Sequence, residues 1–262
     1  VKHMPKPGET IHTRETFSAG GGKGANQAVA ARRSEADTYF IGAVGTDEAG
    51  KTMSELLSQE EIDLTGVATL ENQATGQAYI IVDDQGENSI MIHAGANNAF
   101  TPEQVRKSQA IIEKSDFIIA QFESAVESTI EAFKIAKKAG VKTILNPAPA
   151  LENVPEELLK VTDMIIPNET ETEILTGVTI SDEASLQAAA SKLHALGIEV
   201  VIITIGSKGA FYALKDGKNG IVKAFKVNAV DTTAAGDTFI GAMSSLLAKD
   251  FSNLEEAIRY GN

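Results

Sequence analysis

The chain contains no cysteine, so a disulfide framework and a thiolate metal site are both excluded. Long hydrophobic runs are missing too. None approaches the roughly 18 residues of a membrane span, and no charged-then-apolar leader opens the sequence, so neither a spanning helix nor a signal peptide is expected. Positive charge is scarce: 23 Lys and Arg stand against 36 Asp and Glu, a net charge of −13. With no basic run, nucleic acid and anionic membrane surfaces are poor partners. The four histidines, His3, His12, His93 and His194, lack metal-ligand spacing. No Gly-x-Ser-x-Gly elbow marks a hydrolase. Neither Gly42-Ala43-Val44-Gly45 nor Gly206-Ser207-Lys208-Gly209 has the dinucleotide fingerprint, which argues against an oxidoreductase. Internal repeats and low-complexity segments are absent. A cytoplasmic location fits the lack of cysteine.

What is present suits one large α/β domain over residues 1–262, with 43% hydrophobic residues to fill its core. From Asp116 onward short apolar runs alternate with helical patterns. Phe117-Ile118-Ile119-Ala120, Thr143 to Asn146, Met164 to Asn168 and Val200 to Thr204 read as strands, and Thr129 to Ala139 and Leu186 to Leu196 as helices. Strands that are apolar on both parities between helices predict a mostly parallel sheet covered on both faces. Ligands collect at the carboxyl ends of such strands, where Gln121, Glu123, Asn146, Asn168 and Gly206 stand. Gly76 to Ile92 alternates around Asp83-Asp84-Gln85-Gly86-Glu87-Asn88, a hairpin signal. With a further strand expected within residues 9–18, these pieces would form a small antiparallel lid.

The most informative stretch is Asp231-Thr232-Thr233-Ala234-Ala235-Gly236-Asp237-Thr238-Phe239. Small residues precede the apolar-periodic run Phe239, Ile240, Ala242, Met243, Leu246, Leu247, the start of a buried helix whose first-turn N–H groups are unshielded. Such a turn attracts anions through its unpaired donors and dipole. Asp237 in the same turn is placed to accept a proton from a hydroxyl attacking a phosphate, although aspartate also serves as a plain helix cap. Gly20 to Asn26 is a glycine-rich turn feeding a second helix. Gly24 follows Lys23, so the Ser or Thr of a triphosphate-binding loop is missing, and Lys23 and Asn26 suit the hydroxyls of a polyol. Asn168-Glu169-Thr170-Glu171 forms either a capping box or a station beside hydrated Mg²⁺ and phosphates. Thr204-Ile205-Gly206-Ser207-Lys208-Gly209 ends a strand in a glycine turn, either an ordinary βα connection or the flank of a nucleotide.

Together Gly21 to Ala28, Asn168 to Glu171, Thr204 to Gly209 and Asp231 to Phe239 resemble, in order, the motifs of the ribokinase-like (PfkB-type) carbohydrate kinase family, across nearly the whole chain. The resemblance implies a ribokinase-like α/β fold and ATP-dependent phosphorylation of a sugar's primary hydroxyl, ribose first; another sugar, a nucleoside or a keto-deoxy sugar acid is the alternative, as is a non-catalytic sugar-binding regulator. It implies that Asp237 is the base, that N–H groups around Ala234, Ala235 and Gly236 form an anion hole, and that Gly22, Lys23, Asn26 and Glu123 hold the sugar. Asn168, Thr204, Gly206 and Gly209 would serve the nucleotide, Glu171 would reach Mg²⁺ through water, and Asp231 and Thr233 would bind an activating K⁺. Lids of two subunits would pair into a homodimer. The family's Asn-x-Asp pair on a first strand and its C-terminal segment have no counterpart here, and both are expected to lie outside the sequence.

Overall fold

Val200 and Ile202 pack into one hydrophobic cluster and Val201 and Ile203 into another, so a single strand separates two cores in the computed structural model, which describes residues 1–229 and 231–262. In chain order the strands are β1 (Tyr39–Gly45), β2 (Asp63–Leu70), β3 (Gln77–Val82), β4 (Asn88–His93), β5 (Phe117–Ala120), β6 (Lys142–Leu145), β7 (Met164–Ile165), β8 (Val200–Thr204), β9 (Ala210–Leu214) and β10 (Asn219–Val222). The helices are α1 (Lys23–Arg33), α2 (Glu48–Gln59), α3 (Ala96–Ala99), α4 (Pro102–Lys107), α5 (Gln109–Lys114), α6 (Val126–Ala139), α7 (Glu156–Lys160), α8 (Glu169–Thr176), α9 (Glu183–Ala195), α10 (Ala235–Leu246) and α11 (Leu254–Gly261). Six strands form one sheet in the order β10-β9-β8-β7-β6-β5. β5 to β8 run parallel, and β9 and β10 close the edge as an antiparallel meander.

Helices cover both faces, as the apolar-on-both-parities pattern predicts. On one face Phe133 of α6, Leu158 of α7 and Leu193 of α9 pack against Leu145, Ile165, Val201 and Ile203. On the other, Phe239 and Met243 of α10 and Ile258 of α11 pack against Ile144, Met164, Val200 and Ile202. Each fully buried aliphatic side chain is worth about 1.5–3 kcal/mol, so the sheet is anchored from both sides and its strand ends are fixed platforms. Met164 to Asn168 forms a shorter ladder than expected. The strand ends at Ile165; Ile166 N–H still donates to Leu145 O at 2.8 Å, Pro167 has no N–H to give but accepts from Thr204 N–H at 3.0 Å, and a bridge joins Asn168 to Thr204.

The first third differs from expectation in two respects. β3 and β4 form the antiparallel hairpin, with Ile80 opposite Ile90 and Ala78 opposite Ile92. Residues 9–18, expected to add a strand, form none. That stretch leans on the hairpin through Arg14 and Asp84, 2.7 Å apart, while Phe17 stands 91% exposed. With no apolar face to bury, nothing offsets the entropy of fixing an extended backbone there. β1 and β2, which no sequence signal singled out, pair in parallel as a separate two-stranded sheet. β1 packs through Ile41 and Ala43 into a cluster that also takes in Ile118 of β5.

Candidate active site

Helix α10 begins as the small-residue pattern requires. Its N-cap, Ala234, sits at φ 57°, a left-handed conformation that strains a residue with a Cβ by roughly 1–2 kcal/mol. Ala235 and Gly236 are exposed, whereas Asp237 is buried. The first-turn donors are not equivalent. Ala235 N–H donates to Thr232 O at 3.2 Å. Among the described residues neither Gly236 nor Asp237 N–H meets a carbonyl or a side-chain acceptor.

The glycine-rich turn meets this helix from the other side. Gly22 caps α1 at φ 98°, a conformation open to glycine, and thereby aims Lys23 N–H at Glu123 Oε2, 2.7 Å away. One turn on, Asn26 Nδ2 donates to Asp237 Oδ2 at 3.0 Å, and Gln27 Nε2 donates to Asp237 Oδ1 at 2.9 Å. Four residues expected to contact sugar or act as base (Lys23, Asn26, Glu123, Asp237) therefore converge. The close approach of α1 and α10 depends on Gly241, where a Cβ would lie 2.4 Å from Gln27 O and 2.6 Å from Ala30 Cβ.

Asn168 and Glu171 form a complete capping box. Glu171 N–H donates to Asn168 Oδ1 at 2.8 Å, Asn168 N–H donates to Glu171 Oε2 at 2.9 Å, and Asn168 Nδ2 donates to Glu171 Oε1 at 3.0 Å. The bland alternative for these residues is thus realised, but the box also faces the site. Burial raises the Glu171 carboxyl above its ordinary value; the Asn168 N–H and the Lys23 charge oppose the shift and the nearby Asp237 charge adds to it. A hydrated cation would relieve the repulsion between these two neighbouring carboxylates, so the donor chemistry fits Mg²⁺.

Thr204 reaches the same strand ends through its bridge to Asn168. Gly206 opens a short 3₁₀ turn at φ 57°. Gly209 is the stricter position, since a Cβ there would lie 2.1 Å from Val222 O. Asp231 and Thr233 are exposed, and Thr233 N–H donates to Asp231 Oδ1 at 2.8 Å. This backbone bond holds the Asp231 carboxyl below its usual range. Charged oxygen ahead of a strained cap suits a monovalent cation. Among the described residues no three His, Asp or Glu side chains gather to hold a metal.

Sequence reasoning set Gln121 and Asn146 at the strand ends but missed Gln27, which joins them to Asp237. Gln27 Nε2 also donates to Asn146 Oδ1 at 3.1 Å, Gln121 Nε2 donates to Gln27 Oε1 at 2.5 Å, and Asn146 Nδ2 donates to Ile166 O at 2.9 Å. The available signal was polarity out of place: Gln121 and Asn146 each follow directly on an apolar strand.

The sequence matches the family described as pfkB family carbohydrate kinase over residues 2–262. It is 50% identical over 264 residues to the bifunctional ribokinase/ribose-5-phosphate isomerase A of Fructilactobacillus sanfranciscensis, covering 100% of this chain and 48% of that protein, so the chain spans about half the length of this relative. It is 46% identical to the ribokinase of Staphylococcus aureus, covering 100% of this chain and 86% of the relative. The structure of Arabidopsis thaliana ribokinase complexed with ribose and ATP superposes with a TM-score of 0.93 at 34% identity, over 99% of this chain and 84% of that one. The match across the chain, the ribokinase-like fold and the meeting of the glycine-lysine turn with Asp237 lead to one statement: the chain belongs to the pfkB family of carbohydrate kinases.

Proposed function

We propose that this chain transfers the γ-phosphoryl group of ATP to the primary hydroxyl of ribose, giving ribose 5-phosphate, and that residues 1–262 act as one kinase domain. The observation that carries the reading is the 3.0 Å bond between Asn26 and Asp237, residues 211 apart in sequence. It joins the polyol-suited turn to the carboxylate beside the helix start. The relatives named ribokinase support ribose as the sugar.

Lys23, Asn26 and Glu123, with the backbone at Gly22, hold the sugar hydroxyls. Asp237 accepts the proton as the substrate O–H bond breaks and the new O–P bond forms, and ADP leaves with the electron pair of the broken P–O bond. Phosphoryl transfer passes through a loose transition state, so the protein mainly positions reactants and neutralises charge. Gly236 and Asp237 N–H, at the positive end of α10, face the developing charge. Asn168, Thr204, Gly206 and Gly209 line the nucleotide side. Mg²⁺ supplies neutralisation of the phosphates, and Glu171 with Asn168 would hold its water shell. Asp231 and Thr233 would bind K⁺ and so fix the loop that presents those N–H groups. The β3–β4 hairpin acts as a lid that excludes water and pairs with its copy in a homodimer. The enzyme works in the cytoplasm, where ATP is supplied.

One assay series tests this. With the full-length protein, Mg²⁺–ATP and a panel of sugars, ribose should give the highest kcat/KM, and K⁺ should stimulate more than Na⁺ at matched ionic strength. Asp237→Asn should lower kcat about 10²-fold or more while ribose and ATP binding stay within a few-fold, the scale of general-base loss. Near-normal turnover in that variant would remove Asp237 from the role. A sugar other than ribose leading the panel would change the substrate, and equal rates with K⁺ and Na⁺ would remove the cation.

A further inference from the structure

The polar chain behind Asp237 has a direction that one backbone group sets. Ile166 O can only accept a hydrogen bond, so Asn146 must turn Nδ2 toward it, at 2.9 Å, and Oδ1 away. Oδ1 then requires a donor and meets Gln27 Nε2 at 3.1 Å. The second proton on that nitrogen goes to Asp237 Oδ1, 2.9 Å away. Gln27 Oε1, left as an acceptor, is met by Gln121 Nε2 at 2.5 Å. Gln27 is 3% exposed and Asn146 7%, and a flipped amide there would leave buried donors and acceptors mismatched. The backbone at the end of β7 therefore dictates which atom of Gln27 meets the carboxylate.

We propose that Gln27 is a positioning residue, oriented by Asn146 and Gln121, that keeps Asp237 Oδ1 as a permanent acceptor and leaves Oδ2 as the oxygen that takes the substrate proton. The inference rests on the reading of Asp237 as the base. Oδ2 meets Asn26, which comes from the sugar-side turn, so the proton-accepting oxygen is the one that shares a neighbour with the sugar. Gly24 leaves room for the arrangement, since a Cβ there would come within 3.1 Å of Gln121 Oε1. The charged group that interacts with Asp237 from α8 is Glu171, which in turn feels Lys23, and neither takes part in the relay.

The test compares Gln27→Met, which keeps length and removes the donor, with Gln27→Glu, which sets an acceptor against Oδ1. Gln27→Met should lower kcat for ribose about 10-fold, with KM for ribose and ATP within about threefold. Gln27→Glu should lower kcat further and move the acid limb of its pH profile up by about one unit, because a second carboxylate favours protonated Asp237. If both variants fail to fold, Gln121→Leu, one step outward and only half-buried, should lower kcat about threefold with KM unchanged. Wild-type kcat and acid limb in folded variants, or a loss carried by KM alone, would overturn the proposal. Asp237→Asn in the same assay separates the two ideas. Lost turnover there beside unaffected relay variants refutes the relay, and retained turnover refutes the base and the relay with it.

Discussion

At Glu171 the capping bonds to Asn168 hold a carboxylate in a buried place where its charge is disfavoured, and Asp237 nearby adds to the penalty. Its folded value lies above the ordinary 4.5. The protonated form is therefore favoured by folding, and this contribution is present below that ordinary value and lost as pH rises through the folded one. Glu171→Gln keeps an acceptor for the Asn168 N–H and removes the charge. Its melting temperature should equal or exceed that of wild type at pH 8, with the gap closing toward pH 5, while the proposed role of Glu171 toward the Mg²⁺ water shell predicts a lower kcat. A variant less stable than wild type at pH 8 would show that the carboxylate helps hold the fold. The same residue thus separates a capping role from a catalytic one, since only the second is lost with the charge.

Among the elements, the α1–α10 contact decides whether the site exists. Helix propensity alone would favour Ala over Gly at position 241 by about 1 kcal/mol. Packing argues the other way: a Cβ would lie 2.4 Å from Gln27 O and 2.8 Å from Ala31 N, backbone atoms that cannot turn aside. Overpacking of this kind costs about 1–3 kcal/mol, so Gly241→Ala should lower the melting temperature by roughly 2–6 °C. Its larger effect should be on kcat, because parting the helices stretches the bonds from Asn26 and Gln27 to Asp237. Thermal unfolding and steady-state kinetics on the same preparation check both, and unchanged kcat would show that helix separation does not set the site.

For the whole molecule, a net charge of −13 makes self-association unfavourable unless apolar surface outweighs repulsion. The β3–β4 hairpin offers such surface. Ala78, Ile80, Ile90 and Ile92 share one face by register, and Ile80, Ile90 and Ile92 are each more than half exposed. Exposed apolar patches of this kind mark interaction sites. The proposed lid pairing predicts that Ile80→Lys combined with Ile92→Lys gives monomers in sedimentation velocity where the wild type sediments as a dimer, with a raised KM for ribose. A double variant that sediments as the wild type would remove the proposed pairing from this face. Tyr212 illustrates a quieter link at this scale: burial and its bond to Glu255 push its hydroxyl up to about 12, tying β9 to α11.

Elements with a strong local pattern were legible in the sequence. Val200 to Thr204 is a strand as read, the small-residue start of α10 falls at Ala235, the hairpin turns at Asp83 to Asn88, and the Asn168–Glu171 spacing gives its capping box. Each follows from period, turn chemistry or capping within a few residues, which a chain carries wherever it folds. Residues 9–18 were not legible, because extended propensity becomes a strand only when a partner edge and an apolar face are available. β1 and β2 escaped for a related reason, as their parallel pairing is chosen across a whole intervening helix. The convergence of Asn26, Gln27 and Asp237 and the direction of the amide relay belong to the tertiary structure alone. Sequence determines which groups are available to accept and donate. Which of them meet depends on how closely two helices far apart in the chain can pack, and that is decided by the absence of one Cβ at Gly241 and by the carbonyl of Ile166 at the end of a strand.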